Sequence, residues 1–519
     1  MSSLRKLEQY WRKPLFYWPA LLLIAAATPL TFAPYYHFWL MPLLFGALIR
    51  LTELRPQHTV KSAYLFGLIA YTAQFYWIHT ALHDISGLPN LYAVPLTFLL
   101  PAFLALYPAA VFWLLKKFSL PRWVRIGLVL PVLWTLAEFA RERLLTGFGW
   151  GAFGYSQIAD NSPLAGFAPL GGIHLVTLAT AFTGAWLVLS VDNQGRLKQR
   201  MISTCAIIVL AAVGYVAKNF EFTRPDGSTA TVALAQGNIP QTLKWQPDQV
   251  IPTIERYYGQ VAGSHADIVI LPETAIPMMR QDLPEGVIEQ FAEQAARNGS
   301  ALAVGIGQYT SDGQDYENAV INLADYRRAT PDKVSYYAKN HLVPFGEYKP
   351  LPWLTEPLYS MMNIPLADFK RGGNAQTPFV MKNQKVAFNI CYEDGFGDEL
   401  IASAKQATLL ANASNMAWYG KSNAMFQHLQ QSQARSLELG RYMVRATNTG
   451  ATAIVNPKGK IVAQTIPDTE TVLEGKIEGY VGETPYMKLG SSWPLMILLG
   501  LCAIIFYWAG KRKIIPNND

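Results

Sequence analysis

Apolar stretches long enough to cross a bilayer recur through the first 217 residues and return once near the end, so this chain must place helices in lipid and a polar insert outside it. A helix needs roughly 20 residues to span the hydrocarbon core. Runs of that order lie at about 15–33, 36–54, 63–82, 92–115, 123–140, 166–190 and 201–217, with an eighth near 491–510. The expected organisation is a seven-helix membrane domain over 1–219, an extramembranous domain over 220–488, and a closing helix with a short tail over 489–519. Composition agrees: 51% of the 519 residues are hydrophobic and 15% charged, a low charge content for a water-soluble chain. The first run lacks a small-residue cleavage pattern and another span follows at once, so no cleaved leader is expected.

The net charge of +7 is explained by where the basic residues fall. They cluster at Arg5, Lys6, Arg12 and Lys13, at Arg50, Arg55 and Lys61, at Lys116, Lys117, Arg122 and Arg125, at Arg196, Lys198 and Arg200, and at Lys511, Arg512 and Lys513. The alternate loops at 33–36 and 83–91 carry none, and the loop after the fifth span has only Arg141 and Arg143 at its edge. Cytoplasmic loops are enriched in Lys and Arg, so both termini are expected in the cytoplasm and the insert outside. The basic excess therefore needs no nucleic acid as a partner. Glu138 and His174 are the main ionisable residues within spans, and Glu138, near a span end, is expected to snorkel.

The insert has a different rhythm. β-rich runs at Thr231–Ala235, Asp267–Leu271, Ala301–Ile306, Val334–Tyr337, Val386–Cys391 and Thr408–Ala411 alternate with amphipathic stretches at 247–262, 284–298 and 423–440. That alternation predicts a layered α/β domain with helices packed on a sheet. Arg435, Glu438, Arg441 and Arg445 have the spacing of helix-surface ion pairs.

Of three cysteines, Cys205 and Cys502 lie in apolar runs, which leaves Cys391 without a disulfide partner in the outer domain. An unpaired thiol there suggests a reactive role. The segment Lys385-Val-Ala-Phe-Asn-Ile-Cys391-Tyr-Glu-Asp394 reads as a strand ending at a nucleophile, the place where α/β folds gather their ligands. A second strand, Asp267-Ile-Val-Ile-Leu271, runs into Pro272-Glu273, and a carboxylate beside a thiol can act as its base. A third β-rich run ends at Lys339, a cation able to stabilise an oxyanion. His341 and His428 have no further ligands at metal spacing, so they are assigned structural roles, and neither a metal nor a cofactor is expected.

These three segments, in this order and each just past a strand, resemble the Glu-Lys-Cys signature of the nitrilase superfamily. The matching motifs are Pro-Glu273, Lys339-Asn-His-Leu-Val-Pro-Phe-Gly-Glu347 and Asn-Ile-Cys391-Tyr-Glu393. The resemblance covers about residues 228–482 and implies an αββα sandwich with Glu273 as general base, Lys339 as stabiliser of the intermediate and Cys391 as nucleophile. Seven spans before such a domain and one after it resemble the apolipoprotein N-acyltransferase family. So do Thr31-Phe-Ala-Pro34, the run Gly147-Phe-Gly-Trp-Gly-Ala-Phe-Gly-Tyr-Ser156, and Ser162-Pro-Leu-Ala-Gly-Phe-Ala-Pro169.

That resemblance implies a monomeric enzyme of the bacterial inner membrane with its catalytic domain in the periplasm. Its acyl donor would be a phospholipid, typically phosphatidylethanolamine, and its acceptor the α-amine of a diacylglyceryl-cysteine apolipoprotein, with a Cys391 thioester between them. It also implies that Glu347 and Glu393 brace the lysine and the proton path, that the backbone of Tyr392 faces the oxyanion, and that Trp245 lies near the substrate crevice. The segment 412–420, with Asn412 and Trp418, is either an arm over the pocket or an Asn/Ser cap with a packed Trp, and the resemblance favours the arm. Two other readings stand beside this one: a membrane-anchored amidohydrolase in which water resolves the acyl-enzyme, and a transporter whose outer domain only binds.

Overall fold

A computed structural model of the chain describes residues 10–117, 119–191, 197–327, 330, 333–359, 361–362 and 368–514. Arg5, Lys6 and Arg196 of the charge pattern lie outside the described residues, as do the side chains of Lys511, Arg512 and Lys513. The chain divides into two compact units: the described parts of Met1–Tyr76, Val94–Phe220 and Lys488–Asp519 form one, and Trp77–Ala93 with Glu221–Met487 form the other.

The first unit is helical. Among the described residues, five helical stretches are long and apolar enough to cross a membrane: Pro14–Thr31, Asn90–Lys117, Arg122–Arg143, Pro163–Ser190 and Leu197–Asn219. Shorter helices cover Leu40–Leu54 and Thr59–Gln74, and a shorter apolar one covers Ser492–Trp508. Each of the eight expected runs thus contains a helix, although the one expected to reach residue 82 stops at Gln74.

Glu138 does not snorkel as expected. It is 4% exposed, and its carboxylate accepts from Phe153 N at 3.1 Å, Thr177 Oγ1 at 2.9 Å and Trp134 Nε1 at 3.2 Å. Arg141 donates to the Phe148 and Trp150 carbonyls at 2.9 and 2.7 Å. A buried charge in an apolar setting must be bonded, and here the bonds pin the glycine-rich segment after the helix.

The second unit contains two sheets. Strands β1 (Arg224–Gln236), β2 (Ile268–Ile270), β3 (Ile276–Met279), β4 (Ala301–Tyr309), β5 (Tyr316–Asn322) and β6 (Tyr336–Ala338), together with β13 (Thr471–Val481), make the first, in the order β13-β1-β2-β4-β5-β6 with β3 beside β4. Strands β7 (Phe379–Met381), β8 (Gln384–Ile390), β9 (Leu409–Ser414), β10 (Tyr442–Thr447), β11 (Ala453–Val455) and β12 (Ile461–Gln464) make the second, in the order β12-β11-β10-β9-β8-β7. The β1-β2-β4 and β8-β9-β10 ladders are parallel.

Side-chain alternation explains the layering. Val232 and Leu234 of β1, Ile268 and Ile270 of β2, and Val386, Phe388 and Ile390 of β8 meet in one core between the sheets. Their neighbours Ala233, Ala235 and Val269 face the opposite side and pack with helices α1 (Pro247–Ala262) and α2 (Val287–Arg297). Ala387 and Leu410 likewise pack with α3 (Gly397–Ala404) and α4 (Ala424–Leu439). The result is the helix-sheet-sheet-helix sandwich that the resemblance implied. Truncating Phe388 to Ala in this core would cost about 3–5 kcal/mol.

One expectation fails inside α4. Arg435 and Glu438 do pair, at 2.9 Å, but with side chains 1% and 0% exposed, so the pair is interior rather than on a helix surface. Arg441 lies beyond the helix and donates to the Ala407 and Gly482 carbonyls, and Arg445 sits on β10. Residues 427–439 of α4 are all buried, which leaves no solvated face for such pairs.

Candidate active site

The strand β8 is buried along all but one of its residues and delivers Cys391 to a short turn, Cys391–Gly395. Cys391 has φ +52°, a left-handed conformation without the help of glycine, which costs roughly 1–2 kcal/mol. Surrounding bonds hold it there. The Cys391 carbonyl accepts from His428 Nε2 at 2.9 Å and from Asn412 Nδ2 at 3.3 Å. Just upstream, Ile390 N donates to Glu393 at 2.6 Å.

Glu273 follows β2 in the turn Pro272-Glu273-Thr274, where Thr274 has φ +44°. Gly305 of β4 lies directly beneath: a Cβ there would sit 2.1 Å from the Pro272 carbonyl oxygen and 2.9 Å from Glu273 Cα. Only glycine lets the strand approach the turn this closely. Lys339 follows β6, its backbone N–H bonded to the Asn318 carbonyl at 2.8 Å.

These turns bring the expected triad together. Lys339 is 1% exposed, and its Nζ lies 2.8 Å from Glu347 Oε1 and 3.3 Å from Glu273 Oε1. Burial alone would lower the lysine, but Glu273, Glu347 and the neighbouring thiol outweigh it and hold the ammonium well above its ordinary value. Asn318 Nδ2 donates to Glu273 at 2.7 Å and to Glu347 at 3.1 Å, so it spaces the two carboxylates. Burial pushes the Cys391 thiol up to about 12, with Glu273 adding to the shift and Lys339 and Ser414 opposing it. A thiol raised in this way favours its protonated form, so it would react only with a base at hand to take the proton.

The supporting carboxylates have distinct partners. Glu347 braces Lys339 and accepts from Val343 N at 2.8 Å. Glu393 accepts from Asn340 N at 2.7 Å, His341 N at 3.0 Å, Ile390 N at 2.6 Å and the Tyr337 hydroxyl at 2.9 Å, which joins the lysine turn to the cysteine turn. Burial lifts it to about 7 against the pull of those N–H donors. Tyr392 is buried, its ring in edge contact with His341 and Phe396.

Trp245 is half-buried after the turn Gln241–Lys244, and Trp418 is half-buried in the turn Met416–Tyr419. The two turns are linked, because Asn415 Nδ2 donates to Gln241 Oε1 at 2.7 Å. Asn412 is placed differently from the arm expected over 412–420. It belongs to β9, is 0% exposed, and bonds to Asn389, Arg445 and the Cys391 carbonyl. The segment leaves the strand only after Ser414, where Asn415 caps the following turn by accepting from Ala417 N.

Three residues escaped the sequence reading. Asn318 lies in a strand that was not anticipated. Lys244 is 1% exposed, and its Nζ donates to Thr274 Oγ1 at 2.6 Å and to the Glu273 carbonyl at 3.2 Å. Burial lowers it to about 7, against the favourable pull of Glu273. Tyr419 is in edge contact with Trp77 at 4.6 Å and has its phenol raised by burial and then by the neighbouring thiol. Lys244 ends the four-residue turn Gln241–Lys244 next to Trp245, and so short a local pattern gives no hint that its lysine is interior.

Family comparisons agree with this geometry. Residues 231–486 match the carbon-nitrogen hydrolase family, and residues 20–186 match the apolipoprotein N-acyltransferase N-terminal domain. Among curated relatives, an apolipoprotein N-acyltransferase of Neisseria meningitidis serogroup A is 73% identical over 97% of this chain and 98% of its own length. That of Chromobacterium violaceum is 48% identical over 93% of each chain, and that of Vibrio cholerae 35% identical over 94% of this chain and 96% of its own.

Proposed function

The chain belongs to the apolipoprotein N-acyltransferase family, and from that premise we propose that it N-acylates lipoproteins by a ping-pong reaction through a thioester on Cys391. The enzyme class, the lipoprotein substrate and the association with a membrane follow from the family. The donor, the intermediate and the residue roles are our reading.

In the first half-reaction Glu273 takes the Cys391 proton as Sγ attacks an acyl ester of a phospholipid, phosphatidylethanolamine being the expected donor. A C–S bond forms, and negative charge collects on the former carbonyl oxygen, where the Lys339 ammonium and the Tyr392 backbone N–H stabilise it. The ester C–O bond then breaks, and the Glu273 proton passes to the lysophospholipid alkoxide. In the second half-reaction the neutral α-amine of diacylglyceryl-cysteine attacks the thioester. Its proton returns through Glu273 to sulfur as the C–S bond breaks and the amide forms. Trp245 and Trp418 contribute apolar surface for the acyl chains.

The observation that carries this reading is the placement of Lys339 between Glu273 and Glu347, with Cys391 as its electrostatic neighbour on a left-handed turn. Both lipid substrates are confined to a membrane, and a chain that carries its own spans searches for them in two dimensions. The basic loops support cytoplasmic termini and a catalytic domain on the opposite, periplasmic side; the inner membrane and a monomeric enzyme are expectations from the family resemblance alone.

The test is to incubate purified enzyme with labelled phosphatidylethanolamine, with and without a diacylglyceryl-cysteine peptide. Without peptide, intact mass should show an acyl group on Cys391 and release of lysophospholipid. With peptide, the label should move to its amine. Free fatty acid in place of N-acylated peptide would mean that water resolves the acyl-enzyme and that the transfer mechanism proposed here is wrong.

A further inference from the structure

The histidine that the metal-spacing argument set aside touches the nucleophile's backbone. His428 Nε2 lies 2.9 Å from the Cys391 carbonyl oxygen and Nδ1 lies 2.6 Å from Arg445 Nη2. A carbonyl only accepts, so Nε2 carries the hydrogen, and a guanidinium only donates, so Nδ1 presents its lone pair. The Met416 sulfur, 3.1 Å from Nδ1, lies on the same side of the ring. These contacts define one state of His428, a neutral ring with its hydrogen on Nε2. Burial and then the Arg445 charge disfavour its protonation.

Arg445 also sets the second donor to that carbonyl. Its Nη1 donates to Asn412 Oδ1 at 2.8 Å, which turns Asn412 Nδ2 toward the Cys391 carbonyl at 3.3 Å. Arg445 is itself anchored by Asp394 at 3.3 Å, and Ser432 donates to the same carboxylate oxygen. Arg445, Asp394, His428, Ser432 and Asn412 are all 0% exposed.

Building on the reading of Cys391 as nucleophile, we infer that Arg445 is the root of a buried positioning relay: by donating to His428 Nδ1 and Asn412 Oδ1 it points one N–H from each at the Cys391 carbonyl, holding the nucleophile in its left-handed conformation. His428 and Arg445 are both 0% exposed, which puts them out of a substrate's reach, so their contribution is to the rate of acylation and not to donor binding.

The experiment measures acyl transfer from labelled phosphatidylethanolamine to Cys391 in single turnover, by intact mass, for the full chain in detergent. His428→Phe keeps a ring but loses both bonds, and it should slow the maximal single-turnover rate by about 100-fold with the half-saturating donor concentration unchanged, the penalty of a misplaced reacting group. His428→Gln offers an amide N–H to Cys391 and an amide oxygen to Arg445, and it should restore the rate to within about tenfold of wild type with an unaltered pH profile. A rate for His428→Phe within about threefold of wild type, or a folded His428→Gln no faster than His428→Phe, overturns the relay. Should His428→Phe not fold, ¹⁵N spectra of histidine-labelled wild type decide: a neutral ring protonated on Nε2 from about pH 5 to 8 is expected, and an imidazolium or an Nδ1–H form overturns it. If wild-type Cys391 takes up no acyl group, the nucleophile assignment itself falls, and the relay with it.

Discussion

Lys244 donates to the Thr274 hydroxyl at 2.6 Å, so a buried amine grips the left-handed turn that presents Glu273. Its bonds go to neutral oxygens, the Thr274 hydroxyl and the Glu273 carbonyl, and its folded value of about 7 lies well under the ordinary 10.5. Between those values the folded chain binds fewer protons at this site than the unfolded chain, so the site's contribution to stability rises as pH rises through that window and is lowest below about 7. Lys244→Met removes the titrating group. The melting temperature of wild type relative to Lys244→Met should therefore increase from pH 7 to pH 10, and an equal difference at both pH values would count against an interior lysine. The same variant frees the Glu273 carbonyl, and kcat should fall about tenfold or more.

Gly305→Ala tests the seating of Glu273, the proposed base. Its Cβ would meet the Pro272 carbonyl oxygen at 2.1 Å and Glu273 Cα at 2.9 Å, both backbone atoms that cannot swing aside. Overpacking of this kind costs about 1–3 kcal/mol, and a displaced base costs about 100-fold in rate. Acyl-enzyme formation should drop by that order while circular dichroism keeps its α/β signature. An unimpaired rate would show that the turn tolerates the shift.

Asn318→Leu removes the amide that donates to Glu273 at 2.7 Å and to Glu347 at 3.1 Å. Lys339 would then face two carboxylates with no neutral spacer. The lost bonds to charged acceptors are worth about 1.5–3 kcal/mol, so kcat should fall by about 10- to 100-fold. Steady-state assays over a range of donor concentration should place the loss in kcat; a change confined to KM would assign Asn318 to substrate binding instead.

The thiol's reactivity should follow pH without levelling off. In a Cys205→Ala/Cys502→Ala background, alkylation of Cys391 by iodoacetamide should quicken about tenfold per pH unit from about pH 7 to 10, because the thiolate is the reactive form and burial holds the thiol up to about 12. A plateau near pH 9 would mean an unperturbed cysteine. Lys339→Met, which removes the cation that favours the thiolate, should slow alkylation at every pH in that range.

Much of this was legible from local pattern. The runs ending at Glu273, Lys339 and Cys391 are short, apolar and followed by turn residues, and each lies at or next to a strand end. Spans could be counted because lipid admits few alternatives to a long apolar helix. What stayed hidden depends on contacts distant in sequence. β13, with its alternating exposed residues, is held in the sheet by antiparallel pairing to β1, with Ile477 opposite Ala230. Arg445 carries a charge that argues for solvent, and only its five hydrogen-bond contacts to Asp394, Asn412, Ser432, Ser414 and His428 make the interior tolerable. Asn412 sits in a stretch rich in Asn and Ser that reads as a loop, while its ladder with Asn389 and Arg445 makes it strand.

Glu393 carries a consequence for how such a domain can diversify. Because this one carboxylate bonds both Asn340–His341 and Ile390, the separation of ammonium and sulfur is set by backbone contacts, independent of the side chains that line the crevice. On the proposed reading of Trp245 and Trp418 as acyl-chain surface, both can be exchanged for residues suited to other chains without moving Lys339 relative to Cys391. Variation among close relatives should be freer at those tryptophans' neighbours than at any residue that bonds to Glu393.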